Sequence, residues 1–288
     1  MVFFEGSNTY IEKDGLFDIT KTFDCGQCFR FENENGVITG IAHGRKLCVR
    51  EDEKYVILEN VSEDEFDSVW KTYFDLDRDY GGINSFLSRD SEVKDCLNYA
   101  KGIRILRQDK WETLCSFIIS QNNNIPRIKK IVSSLCTNFG APTDGGFAFP
   151  DAKTVLDAGV DGLAVIRSGF RAKYIIDAAE KVVSGDVDLE KLAALSYDEA
   201  KEILMTIKGV GNKVADCVLL FGYGFFDAFP KDVWIKRVIQ KYYGDGFDES
   251  VFKPYGGIAQ QYLFYRERWI EKDSAPFGTE SPTVNNRP

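Results

Sequence analysis

The chain has 288 residues, 44% hydrophobic and 28% charged, a globular composition with ample material for a core. No apolar run reaches the ~20 residues that span a bilayer, and the opening MVFFEGSNTYIEKDG lacks the basic and apolar regions of a signal peptide. A formal net charge of −9 argues against a broadly basic nucleic-acid binder, though not against a protein that meets nucleic acid with one local face.

The first ~60 residues read as strands. CFRFENENGVITGIAHG and RKLCVREDEKYVILE are broken by turn chemistry at Asn33–Gly36 and His43–Gly44. Their connections are too short for parallel crossovers, so an antiparallel sheet is expected. Beyond them the pattern turns helical. Ser62 and Glu65 form a capping-box pair, followed by Phe66, Val69, Trp70 and Tyr73 on one face. Asp109 is placed to cap a helix carrying Trp111, Leu114, Cys115 and Ile118. The stretch 137–151, rich in Gly, Pro and Asp, reads as a loop between helices. Ser196 and Glu199 form a second capping box, leading into Ala200, Ile203, Leu204 and Ile207. The fold class expected is α+β: a sheet domain at 1–98, a helical body at 99–271, and an aperiodic tail at 272–288.

Residues 203–221, ILMTIKGVGNKVADCVLLF, place a tight Gly-containing turn between two amphipathic helices, a helix–hairpin–helix. The first helix is expected to end at Ile207. Gly209 and Gly211 let another backbone approach, and the N–H groups of the second helix suit a phosphate. Such a turn holds DNA without a basic surface. A GxG turn alone is weak, because any helical protein can join two helices this way. Lys213 adds information: it sits in the first turn of the second helix, where a cation is disfavoured. Nineteen residues on, after Phe229-Pro230, Asp232 stands at a helix N-cap position, in itself an ordinary place for a carboxylate. A free lysine is neutral in only about one molecule in 2,500 at pH 7. Helix N-termini and burial favour the neutral, nucleophilic amine. A nearby carboxylate stabilises positive charge on a sugar whose glycosidic bond is breaking.

LMTIKGVGNKVADCVLLFG and AFPKDVWIKR closely resemble the helix–hairpin–helix/Gly-Pro-Asp DNA glycosylases, and within them the 8-oxoguanine DNA glycosylase/lyases. FDCGQCFRF (23–31), SQNNNIPRI (120–128) and YGGIAQQYLF (255–264) resemble further segments of that family, in its order, over roughly residues 20–270. Lys208 departs from the family, which often has Pro there. The resemblance implies an antiparallel sheet domain, a helical body and a pocket between helical subdomains. It implies that Lys213 attacks C1′ of an extruded nucleotide, with Asp232 as electrostatic partner, and that the resulting Schiff base undergoes strand scission by β-elimination.

Further roles follow from the resemblance. Gly26 would offer its carbonyl to the N7 hydrogen that 8-oxoguanine has and guanine lacks, though by sequence alone it is a turn glycine. Gln260 would bond the Watson–Crick edge, and Phe264, four residues on, would stack on the base. Cys217 would pack against the other face; a small core residue is an equal reading. Asn122 would fill the vacated space, Arg127 and Arg171 would bond the estranged cytosine, and Phe170 would wedge beside it, where the family more often has Tyr. The ordinary readings are a polar helix end for the asparagines and a solvated face for the arginines. Arg127, absent from some bacterial relatives, implies a preference for cytosine opposite the lesion.

No cofactor is required on this reading. A structural monovalent or calcium ion is implied on the carbonyls of Met205, Ile207 and Val210, and no iron–sulfur cluster, since the C-terminal region has no cysteines. Cys25 and Cys28 lack the partners of a zinc site. His43, the sole histidine, is expected in a solvated turn. The seven scattered cysteines suggest a reducing compartment. The expected partner is damaged double-stranded DNA, with no membrane, in a monomer of the cytoplasm or, in a eukaryote, the nucleus. Two rivals remain: a monofunctional alkylbase glycosylase of the same fold, which needs no catalytic lysine, and a non-catalytic helix–hairpin–helix module.

Overall fold

The computed structural model describes residues 1–274. Strands β1 (Val2–Glu5) and β2 (Asn8–Glu12) precede helix α1 (Ile19–Asp24). Strands β3 (Phe31–Glu34), β4 (Val37–Ala42), β5 (Arg45–Glu51) and β6 (Tyr55–Glu59) follow. All six pair antiparallel in the order β1-β2-β6-β5-β4-β3. The turns Asn35-Gly36 and His43-Gly44 both have positive φ at each residue, the left-handed pair that two-residue hairpins require. His43 lies exposed in its turn, as expected, with Nε2 3.0 Å from the Arg107 carbonyl. Helix α1 hides in a region that reads as strand. Asp18 caps it by accepting the Lys21 N–H at 2.9 Å.

Register aligns Ile38 with Val49 and Val49 with Leu58, so one face presents a row of apolar side chains. That face packs on Phe17, Phe23, Trp70 and Phe74. The helical stretch after β6 consists of α2 (Glu63–Glu65), a π turn at Phe66–Trp70 and α3 (Lys71–Tyr73), and buries Phe66, Trp70 and Tyr73. Its capping box closes on one side only. Ser62 accepts the Glu65 N–H at 3.3 Å, while the Glu65 carboxylate takes the Trp70 indole N–H at 3.1 Å.

Helices α4 (Tyr80–Leu87) and α5 (Ser91–Ala100) put Tyr80, Ile83, Leu87, Val93 and Cys96 into a second, helical core. The helical core thus already takes side chains from Tyr80 onward, within the stretch expected to belong to the sheet domain. The body continues with α6 (Lys110–Ser120) and α7 (Ile125–Phe139), then a small hairpin of β7 (Pro142–Thr143) and β8 (Gly146–Phe147). Helices α8 (Ala152–Gly162), α9 (Arg171–Ser184), α10 (Tyr197–Met205), α11 (Asn212–Val218), α12 (Val233–Val238) and α13 (Gly256–Ser274) complete it. Asp109 caps α6, and Ser196 with Glu199 forms a complete capping box on α10. Helix α10 stops at Met205, short of the expected Ile207, and α13 runs to Ser274, past the expected 271. The remainder of the expected tail lies outside the described residues. No helix among the described residues is long and apolar enough to cross a membrane.

The two cores meet in the segment Cys25–Phe29. Cys25 and Phe29 belong to the helical core and Cys28 to the sheet core. Between them Gln27 is fully buried. Its amide donates to the carbonyls of Thr22 at 2.9 Å and Arg104 at 2.8 Å, and its Oε1 accepts the Leu106 N–H at 2.9 Å. Truncating it leaves buried backbone groups unpaired, at ~1–3 kcal/mol for each such group. Gln27→Ala should lower unfolding free energy by about 2–4 kcal/mol in urea titration; a loss under about 0.5 kcal/mol would show that the segment is held by packing alone.

Candidate active site

Lys213 is the second residue of α11, which follows the hairpin. It is half-buried, its ammonium donates to the Ser120 hydroxyl at 3.2 Å, and it lies 5.1 Å over the Phe117 ring. Both supports come from α6, and neither was legible in the sequence. One turn along, Cys217 is buried beside it. Burial pushes the Cys217 thiol up to about 12 against the pull of the Lys213 ammonium.

Asp232 caps α12, accepting the Ile235 N–H at 2.8 Å. Its pKa is raised, chiefly by burial. The cap hydrogen bonds and the positive charges of Lys213 and Arg268 pull the other way. The Lys213 charge thus acts on Asp232, although among the described residues no ion pair joins the two within 4 Å. Arg268, on α13, lies 5.4 Å over the Phe264 ring and donates to the Asp24 carbonyl at 3.0 Å.

Phe264 borders Gly26. A Cβ at Gly26 would stand 3.3 Å from Phe264 and 3.4 Å from Ile125, and its φ of +79 suits glycine. One helical turn before Phe264, Gln260 is buried with Oε1 unpaired among protein groups. A buried amide oxygen without a partner is costly, and a bound ligand that donates to it removes the cost. The charges of Lys213 and Arg268 thus both act on Asp232, and Arg268 lies over Phe264, which borders Gly26. Of the expected residues, Lys213, Asp232, Phe264 and Gly26 are linked in this way, with Cys217 one turn from Lys213 and Gln260 one turn before Phe264.

The asparagine run divides its work. Asn123 donates to the Ile119 carbonyl at 3.2 Å at the end of α6, and Asn124 caps α7 through the Arg127 N–H at 2.9 Å. Asn122 stands exposed between them with a left-handed φ of 47. Its carbonyl accepts from Arg171 at 3.0 Å. The ordinary reading of Arg171, a solvated face, does not hold: it is only 4% exposed and also donates to the carbonyls of Gln121 and Ser168. Phe170 is 51% exposed, with the Arg171 guanidinium 4.5 Å over its ring. Arg127 is exposed.

At the hairpin, Gly209 has a φ of +80 and lies against Tyr174, where a Cβ would fall 2.3 Å from the ring. Gly211 faces open space. Lys208 donates its backbone N–H to Asp177 at 2.8 Å and pairs its ammonium with the same carboxylate at 2.9 Å. Around the three expected carbonyl donors, Met205 is exposed, the Ile207 carbonyl accepts the Val210 N–H at 3.0 Å, and the Lys181 ammonium holds the Thr206 carbonyl at 2.6 Å.

Residues 10–114 match the family described as 8-oxoguanine DNA glycosylase, N-terminal domain, and residues 115–250 match the HhH-GPD superfamily of base excision DNA repair proteins. The chain is 33% identical over 255 residues to an N-glycosylase/DNA lyase of Saccharomyces cerevisiae, covering 78% of this chain and 68% of the yeast protein. It is similar to the structure of a Clostridium acetobutylicum 8-oxoguanine glycosylase/lyase bound to double-stranded DNA with cytosine opposite 8-oxoG. The TM-score is 0.89 at 37% identity, covering 94% of this chain and 98% of that one. A structure of MBOgg1 with a low affinity DNA ligand gives 0.89 at 44% identity, covering 94% and 99%. A 3-methyladenine glycosylase of Archaeoglobus fulgidus shares the fold, with a TM-score of 0.71 at 22% identity.

The raised pKa of Asp232 has a sign that unfolding can test. A carboxyl whose folded pKa exceeds its unfolded value stabilises the native state at low pH, and that contribution is lost as pH rises toward the folded pKa. Asp232→Asn keeps a good N-cap and removes the desolvated charge. Its Tm relative to the parent should therefore rise as pH is taken upward from about 4, the ordinary aspartate value; a relative Tm that falls over this range would show that the carboxylate is stabilised by its site.

Proposed function

The chain belongs to the 8-oxoguanine DNA glycosylase family of the helix–hairpin–helix/Gly-Pro-Asp superfamily and is a bifunctional N-glycosylase and DNA lyase that excises 8-oxoguanine; we propose that Lys213 is its nucleophile and Asp232 the carboxylate that stabilises the developing sugar cation. The observation that carries this assignment is the half-buried Lys213 at the start of α11, held by Ser120 and lying over Phe117; its charge acts on the half-buried cap Asp232.

The neutral Lys213 amine attacks C1′ of the extruded nucleotide. The C1′–N9 bond breaks, and its electron pair leaves with the base, which takes up a proton. Positive charge builds on C1′ and O4′ as that bond lengthens, and the ionised Asp232 stabilises it. Loss of the amine proton and opening of the C1′–O4′ bond give a Schiff base between Nζ and C1′. Removal of a C2′ proton then breaks the C3′–O3′ bond, whose electron pair leaves with the phosphate. Water finally releases the sugar fragment from Lys213.

The base enters between Phe264 and Cys217, with its Watson–Crick edge toward Gln260. The unpaired Gln260 Oε1 accepts from the purine N1–H and N2–H₂ edge. Gly26, half-exposed between buried neighbours, offers its carbonyl to N7–H of 8-oxoguanine. Guanine presents a lone pair at N7 and leaves that acceptor unpaired. Extrusion costs a few kcal/mol, which the exposed Asn122 and Phe170 offset by occupying the gap. Arg127 reads the estranged cytosine, and Arg171 joins it by exchanging one of its present carbonyl partners. The N–H groups beyond Gly209 and Gly211 hold a DNA phosphate. A monovalent or calcium ion on the carbonyls of Met205, Ile207 and Val210 would add positive charge there; hard oxygen donors suit it, and no bond-making step passes through it. The protein acts as a monomer, in the cytoplasm or nucleus where its DNA lies.

Lys213→Gln should still bind an 8-oxoguanine duplex while losing borohydride trapping and at least roughly a thousandfold in single-turnover base release. A cut that needs alkali in the parent enzyme would mean water, not Lys213, is the nucleophile, and a gel shift without cleavage would mean a binding module.

Arg127 is a donor-only fork, and cytosine offers N3 and O2 as acceptors, whereas adenine presents a donor at N6. A buried donor left unpaired costs ~1–3 kcal/mol, or roughly ten- to a hundredfold in rate. Arg127→Ala should narrow the cytosine-over-adenine rate ratio by about that factor, mainly by slowing the cytosine duplex. An unchanged ratio in single-turnover assays would assign Arg127 to the solvated surface.

A further inference from the structure

We infer that Gln261 and Arg268 are positioning residues for lesion discrimination: both reach from α13 to fix the two carbonyls just before Gly26. Gln261 is 2% exposed and donates through Nε2 to the Cys25 carbonyl at 2.5 Å. Arg268, two helical turns further along, donates through Nη1 to the Asp24 carbonyl at 3.0 Å. The inference rests on the reading in which the Gly26 carbonyl recognises N7–H.

The geometry gives these two bonds a particular task. Gly26 has a left-handed φ of +79 and no side chain, so nothing of its own restrains its peptide plane. On its far side Gln27 is pinned by three hydrogen bonds. On its near side α1 ends at Asp24, where the last carbonyls of a helix lack intrahelical partners. Gln261 and Arg268 take two of those carbonyls. The Gly26 carbonyl is thereby held from both ends, and the near-side hold comes from the helix that carries Gln260 and Phe264. Arg268 ties the two parts directly, since its guanidinium also lies 5.4 Å over the Phe264 ring. Groups that read the Watson–Crick edge, the base face and N7–H are in this way registered to one rigid element. Discrimination by a single hydrogen bond needs that, because the bond weakens steeply when its angle departs from linear.

The test uses the full chain in a Lys213→Gln background, so that binding is measured without turnover. Duplexes carry 8-oxoguanine, guanine, 8-methoxyguanine or a tetrahydrofuran abasic analogue opposite cytosine. 8-Methoxyguanine keeps the oxygen at C8 but has a lone pair at N7. We expect Gln261→Leu and Arg268→Gln each to lower the preference for 8-oxoguanine over guanine and over 8-methoxyguanine by about tenfold, the scale of one misplaced hydrogen bond. Abasic affinity should change far less, and Arg268→Lys, which can still donate to Asp24, should recover most of the preference. If the background protein binds 8-oxoguanine and 8-methoxyguanine equally, the Gly26 reading itself fails and the inference falls with it. If the background discriminates and both variants discriminate as well, the clamp alone is overturned. An equal loss on abasic and lesion duplexes would reduce both residues to scaffold. Should Gln261→Leu not fold, the half-buried Arg268 pair decides the matter.

Discussion

A short run of backbone, Cys25 to Phe29, belongs to two hydrophobic cores at once, and the active site depends on that sharing. Cys25 and Phe29 face the helical core and Cys28 the sheet core, so neither can move without opening apolar surface. Gln27 locks the crossing by satisfying backbone groups of both the α1 end and the 104–106 segment. A base-reading carbonyl placed at this seam inherits the rigidity of both units. On the proposed reading the sheet domain therefore takes part in recognition, since Gly26 would form one wall of the base slot.

Much of the fold is legible in the sequence because its signals are local. Asp109, Ser196 and Asp232 stand where side-chain oxygens cap helices, and the structure uses all three. The pairing of Gln260 with Phe264 follows from helical spacing alone. The rest was not legible because it rests on partners remote in sequence. Helix α1 is too short for a 3.6-residue period to show. Gln27 is a single polar residue whose partners lie more than 75 residues away, apart from Thr22. Burial of Arg171 depends on the α6–α7 turn, which supplies the carbonyls of Gln121 and Asn122. Ser120 and Phe117, which hold Lys213, are ordinary residues of an apolar helix until α11 packs beside them.

The hairpin shows how one departure is absorbed. A proline at 208 would fix φ and carry no N–H. Lysine restores the donor, and a backbone donor in a tight turn is best paired. Asp177 from α9 supplies the acceptor and, with its other oxygen, pairs the Lys208 ammonium. These bonds to Lys208 and its charge hold the Asp177 carboxyl below its ordinary value against the opposing effect of burial. The turn is thus tied to α9, the helix that begins at Arg171, so the regions proposed to hold phosphate and to wedge beside the estranged base share one support.

Function and structure are divided between adjacent residues throughout the site. Asn123 and Asn124 cap helices, which leaves Asn122 exposed. Gln27 pins the backbone, which leaves the Gly26 carbonyl available. Gln261 holds Cys25, while its neighbour Gln260 keeps an unpaired oxygen. Three residues beyond Lys213, Asp216 is buried against Tyr197 at 2.5 Å and Lys201 at 2.7 Å. Successive helical residues point about 100° apart, so two such roles fit side by side without competing. The arrangement also explains how an acidic protein can hold DNA. Its contacts do not come from a diffuse positive field, which a net charge of −9 opposes. On the proposed reading they come from a few local groups, among them the exposed Asn122 and Phe170 and the unpaired Gln260 Oε1, whose neighbours have satisfied the local demands of folding.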